Sequence, residues 1–175
     1  LLLYLLSFLL PAVQIVLPGQ KMARPEEVVA WSLRLEPLPA HPGEQVILHV
    51  QGTIEPGWYL YAVDSPAGKP LRVRIMEPPE GVQTGTLEQD TPKEKYDPNF
   101  DTLARYFEKS VEVRLPLWLS EELAPGGYAM DVAITYMVCN DNICLPPHTI
   151  TKEVLLRVEA GAVRADFQAD RGEGT

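Results

Sequence analysis

The sequence predicts an all-β fold, a sandwich of two antiparallel sheets. Three observations carry that prediction. Apolar and polar residues alternate with period two in segment after segment, as half-buried strands require. The alternating runs are short and punctuated: the 175 residues include 17 prolines and 12 glycines, many of them in Pro-Pro, Pro-Gly and Asp-Pro pairs. No long stretch of helical periodicity interrupts them.

Residues 1–17 are almost wholly apolar, broken by Pro11 and Gln14, and lead into Pro18-Gly19-Gln20. This pattern reads as the apolar region of an export signal, so residues 1–22 are expected to be a signal peptide or its remnant. The run falls short of the roughly 20 apolar residues of a membrane-spanning helix. Residues 29–36 alternate around Trp31, Leu33 and Leu35, and residues 45–50 place Val46, Leu48 and Val50 on one face. Residues 58–63 are an aromatic-rich strand, and residues 71–75 and 111–115 alternate without a break. Residues 128–138 and 152–158 complete a set of about seven strands, a number that fits an immunoglobulin-like sandwich. Pro116 points to an edge strand or a bulge, because proline has no N–H for a central ladder. The two segments with helical composition are residues 102–109 and 120–123. Residues 28–160 read as one domain, and residues 161–175, small and acidic, as a disordered tail or the start of a linker.

The formal net charge is -9 and the sequence pI is near 4.8. There is no basic stripe, so nucleic acid is excluded as a partner. A domain of this size builds a core without a disulfide staple.

Both cysteines of the chain, Cys139 and Cys144, flank the polar loop Asn140-Asp141-Asn142-Ile143. The strands before and after deliver them to one end of a hairpin, in a compartment where export lets disulfides persist. Three chemistries fit. A local bond that opens without unfolding the domain suits thiol–disulfide exchange. A structural brace fits less well, because so short a loop constrains the unfolded chain little. A metal site would draw on Cys139, Cys144, His148 and Asp141, but the second ligand pair usual for structural zinc is missing. No cofactor is expected. No lysine stands near the cysteines in sequence, whereas Asp131 and Asp141 do, so nothing in the sequence lowers the thiol pKa.

The run Tyr136-Met137-Val138-Cys139 through Cys144-Leu145-Pro146-Pro147 resembles the active-site signature of the N-terminal periplasmic domain of the thiol:disulfide interchange protein DsbD. Pro56-Gly57-Trp58-Tyr59-Leu60-Tyr61 resembles an early strand of the same family, and Tyr96-Asp97-Pro98-Asn99-Phe100 with Tyr106-Phe107 its cap-loop region. The cysteine loop, with four intervening residues, is one shorter than in the best-known members. The resemblance implies an immunoglobulin-like sandwich with an inserted active-site and cap-loop region. It implies a periplasmic protein-disulfide reductase component that takes electrons from a thioredoxin-like domain of the same longer membrane protein. Those electrons would pass to thioredoxin-fold proteins, including one of cytochrome c biogenesis. It also implies that Cys144 forms the intermolecular bond, that Cys139 resolves it and that Phe100 is the lid. Tyr59 and Tyr61, two apart and so on one face, would lie close to the pair, with Trp58 on the other face and Asp97 accepting a hydrogen bond nearby. The bland alternative is an exported immunoglobulin-like binding domain whose local disulfide is purely structural.

Overall fold

The computed structural model describes residues 23–98 and 100–168. The expected signal peptide at 1–22 and the last seven positions lie outside the described residues. A single helical turn, α1 (Pro25–Val28), starts on a proline and carries Glu26 and Glu27 in its first turn, where acids suit the helix N-terminus. Twelve strands follow among the described residues: β1 (Val29–Glu36), β2 (Gln45–Ile54), β3 (Tyr59–Tyr61), β4 (Arg72–Ile75), β5 (Val82–Thr84), β6 (Glu88–Gln89), β7 (Lys93–Asp97), β8 (Thr102–Glu108), β9 (Ser110–Leu119), β10 (Gly126–Tyr136), β11 (Val138–Cys139) and β12 (His148–Val158). No helix among them is long and apolar enough to cross a membrane.

The strands form three antiparallel sheets. One runs β1-β2-β9-β5 with β6 also on β9, the second β12-β10-β4, and the third β11-β3-β8-β7. The first two supply a common core. Val46, Leu48 and Val50 of β2 and Val113, Leu115 and Leu117 of β9 meet Val132, Ile134 and Tyr136 of β10 and Leu156 of β12. These are the inward positions that the period-two pattern marks. The third sheet holds a smaller cluster of Tyr59, Tyr61, Ala67, Ala104, Tyr106 and Cys139.

Several expectations need correction. Residues 102–109 are not helical: Thr102–Glu108 is the strand that joins β3 to β7. Asp101 and Lys109, both at positive φ, turn the chain at each end, and pairing on both sides overrides the helix-forming composition. Residues 120–123 form a turn closed by Leu123 N–H donating to the Ser120 carbonyl at 3.1 Å. Pro116 is not on an edge, since β9 pairs with β2 on one side and with β5 and β6 on the other. Its carbonyl accepts from Gly85 N–H at 2.8 Å, so its donorless nitrogen faces the break between β5 and β6, where no ladder bond is lost. The strand expected over 128–138 is two strands: β10 pairs with β12 and β4, and after Met137 β11 joins the third sheet. Polar β6 and β7 carry no alternation to betray them and exist through pairing with β9 and β8.

Residues 161–168, expected within a disordered tail or the start of a linker, are mostly exposed and are held to the domain through Arg164. The backbone and Nε of Arg164 donate to Glu44 Oε1 at 2.9 and 2.8 Å, and its Nη2 donates to Oε2 at 2.6 Å. His41 N–H donates to Oε2 at 2.9 Å. Burial by itself would raise the Glu44 pKa, but these bonds from Arg164 and His41 outweigh it and bring the carboxyl down to about 2. The sequence marks Glu44 and Arg164 only as two charges 120 positions apart.

Candidate active site

Cys139 and Cys144 are joined by a disulfide, with an S–S distance of 2.07 Å. Local chemistry shapes the loop between them. The Asn140 side-chain oxygen accepts from the N–H groups of Asn142 and Ile143, both at 2.9 Å, and Asn140 N–H donates to the Ile143 carbonyl at 2.9 Å. This is the turn that asparagine makes by bonding the backbone two and three residues ahead. Leu145 N–H closes onto the Val138 carbonyl at 2.9 Å, so the two cysteines face each other across a miniature hairpin. The two cysteines differ in burial: Cys139 is 0% exposed, and Cys144 is half-buried.

β11 lies against β3, with Cys139 opposite Tyr59. Tyr59 and Tyr61 do share a face, and their rings meet edge-on at 5.7 Å. Trp58 packs instead against the main core. Tyr61 is at the centre of the site. Its hydroxyl donates to Asp97 Oδ2 at 2.7 Å, and the same oxygen is 3.4 Å from Cys139 Sγ and 4.0 Å from Cys144 Sγ. Burial, reinforced by the bond to Asp97, pushes the Tyr61 pKa far up, so the group keeps its proton. Burial also raises Tyr59, against the hydrogen bond with Tyr61, and the charges of Asp97 and Asp141 add to the rise. Asp97 is fully buried at the end of β7. Phe100, three residues on, is 40% exposed and sets its ring edge-on to Tyr61 at 5.9 Å.

The structure therefore brings Cys139, Cys144, Tyr59, Tyr61, Asp97 and Phe100 to one end of the third sheet. It does not bring in His148, whose ring meets Tyr136 at 5.9 Å and whose Nε2 lies 3.7 Å from a Glu26 carboxylate oxygen. Among the described residues no group of three or more His, Cys, Asp or Glu side chains converges to hold a metal. Asp131 lies elsewhere, lining a surface cavity with Glu77 and Glu153. One lysine does reach the aromatic cluster of the site. Lys95 reaches from β7 over β8 and puts its ammonium 3.4 Å from the Tyr59 ring centre and 4.8 Å from that of Tyr106. Lys95 and Asp97 are two apart on β7 and share a face, but nothing in the sequence sets that strand beside the one that carries Tyr59.

The family model for the N-terminal domain of the thiol:disulfide interchange protein DsbD matches residues 32–156, a span that includes the cysteine hairpin, both tyrosines and Asp97. The chain belongs to the DsbD N-terminal family. Its fold is also that of two solved structures. The reduced DsbD N-terminal domain of Neisseria meningitidis is 19% identical with a TM-score of 0.54, covering 78% of this chain and 91% of that one. The N-terminal periplasmic domain of ScsB from Proteus mirabilis is 12% identical with a TM-score of 0.53, covering 78% of this chain and 49% of that one. No curated protein sequence matches the chain. Membership in the DsbD N-terminal family and a bonded, partly accessible cysteine pair together support a redox role.

Proposed function

We propose that the chain is a periplasmic thiol–disulfide exchange domain that relays electrons to thioredoxin-fold proteins through the Cys139–Cys144 pair. The observation that carries this reading is the unequal burial of two bonded cysteines beside the Tyr61 hydroxyl. A partner thiolate attacks Sγ of Cys144, the less buried cysteine. A partner–Cys144 bond forms, the Cys139–Cys144 bond breaks, and the electron pair leaves on Cys139 as a thiolate. Tyr61, 3.4 Å from that sulfur, turns its O–H toward the new charge and stabilises it as a leaving group. A second partner thiol then attacks the partner's own sulfur in the mixed disulfide. The partner leaves oxidised, and the domain keeps two electrons and two protons. The reverse sequence reduces an oxidised partner, with Cys144 attacking and Cys139 resolving.

In this reading the three sheets are an immunoglobulin-like sandwich with an inserted active-site region, and the β7–β8 turn is its cap. The electron source is a thioredoxin-like or membrane domain of a longer protein. The recipients are periplasmic thioredoxin-fold proteins, those of cytochrome c biogenesis among them. Equilibration in glutathione buffers, followed by alkylation of free thiols, tests the reading. The expected result is a reversible couple inside the range of glutathione and the thioredoxin-fold proteins. A bridge that stays closed down to about −300 mV is the mark of a structural disulfide and would leave only the binding-domain alternative.

Phe100 gives a separate expectation. As a lid it should slow attack by small reagents, since exchange needs in-line approach to a sulfur. Phe100→Ala is expected to speed reaction of the reduced domain with a small disulfide by about tenfold, the effect of lifting roughly 1.4 kcal/mol from the barrier. Transfer to a docked thioredoxin-fold partner should change little. If the melting temperature falls and both rates move together, Phe100 is a packing residue.

A further inference from the structure

Tyr61 owes its position to a loop that lies outside the cysteine signature. Residues 62–71 connect β3 to β4 and are tied down at several points. Val63 N–H donates to Gln89 Oε1 at 2.9 Å, and Gln89 Nε2 donates to Asp64 Oδ1 at 2.7 Å. Arg105 pairs with Asp64, and its backbone N–H donates to Ser65 Oγ at 3.2 Å. Ser65 Oγ in turn donates to the Ala67 carbonyl at 3.1 Å and accepts from Ala67 N–H at 3.3 Å. The knot lays Ala67, fully buried, into the cluster that holds Cys139.

The next residue touches the site most closely. Gly68 has φ +64°, and a Cβ there would fall 2.2, 2.5 and 2.7 Å from Cε2, Cδ2 and Cζ of Tyr61. No carbon survives at such distances, so the glycine backbone lies directly on the tyrosine ring. Tyr59 and Phe100 meet the same ring at 5.7 and 5.9 Å, both at right angles. The ring is held on these contacts, and its hydroxyl is thereby fixed near both sulfurs.

We propose that Gly68 is a positioning residue for thiol–disulfide exchange: by carrying no side chain it lets the 62–71 loop seat the Tyr61 ring so that its hydroxyl serves the cysteine pair. The proposal rests on the redox reading given above and assigns the loop to the active site. Any side chain at Gly68 must move the ring or the loop, and a non-glycine residue is disfavoured at this φ as well.

The test is the pH profile of thiolate formation in the chain reduced with a phosphine, read from ultraviolet thiolate absorbance. Tyr61→Phe removes the donor and should raise the midpoint by about one pH unit, since hydrogen bonding to the charged form favours it. Gly68→Ala should raise it in the same direction, and should add nothing in the Tyr61→Phe background, the signature of two residues acting through one group. Ser65→Ala loosens the loop without adding an atom. It should give a smaller shift that also vanishes with Tyr61→Phe, and it decides the matter if Gly68→Ala does not fold. Equal shifts in both backgrounds, or a lower melting temperature with an unmoved profile, would overturn the proposal. Phosphine reduction does not depend on the couple being reversible. A wild-type pair inert to glutathione would therefore count against the redox reading, and an unmoved profile against Gly68.

Discussion

Cys139→Ser is expected to turn the domain into a trap that holds a thioredoxin-fold partner as a stable mixed disulfide, visible on a non-reducing gel. Cys144→Ser is expected to lose capture by at least about a hundredfold, the factor that corresponds to roughly 2.7 kcal/mol of barrier. The reason is access. Exchange passes through an in-line arrangement of three sulfurs. Cys144 is half-buried and can take part, whereas Cys139 is fully enclosed by β3 and the hairpin. Serine at 139 leaves the intermolecular bond without a resolving thiol. Serine at 144 leaves a thiol that a partner reaches only by opening the site. Equal capture through both variants, or capture through Cys139 alone, would refute the assignment of roles.

Arg164→Ala is expected to destabilise the fold, because it leaves the buried Glu44 carboxylate without its cation. Solvent moderates the effect, because Arg164 itself is 38% exposed while Glu44 is 0% exposed. For a chain of this size the melting temperature should drop by several degrees. The pH dependence follows from the Glu44 carboxyl, which is at about 2 in the fold against 4.5 without its partners. A depressed carboxyl contributes stability that is fully present above 4.5 and lost as pH falls from there toward 2. In the variant the side-chain bonds and the charge of Arg164 are gone while the backbone bonds from residues 164 and 41 remain, so the carboxyl is depressed less and the variant loses less stability to acid. The gap between their melting temperatures should narrow as pH falls from 4.5 toward 2. A constant gap would mean that the stabilisation comes from packing of residues 161–168 rather than from the charge pair. The thiolate profile should not change. β12 starts beside the cysteine hairpin and ends at this clamp, and its 11 residues put roughly 35 Å between the two ends.

The alternating strands were legible because their inward residues had to be apolar, whatever they were paired with. Residues 29–36 became β1 with the same bounds, and Val46, Leu48 and Val50 all face the core. β7 and β8 were not legible. The first is charged along its length and the second has the composition of a helix; only the neighbouring strands make them sheet. The cysteine hairpin could be read from its spacing, and its Asn140 turn from the Asn-Asp-Asn run. Lys95 and Gly68 could not, since each acts on a tyrosine that lies on another element.

By itself the sequence determined that the chain is all-β, that its two sulfurs are close enough to bond and that aromatics of one strand share a face. Those properties are local: they depend on period, on turn chemistry and on short separations along the chain. Tertiary structure alone decided which cysteine is the less buried, which hydroxyl stands between the pair and Asp97, and which distant arginine keeps Glu44 charged in the interior. Burial and hydrogen bonding are properties of what surrounds a group in space, and here the surroundings come from residues 36, 78 and 120 positions away.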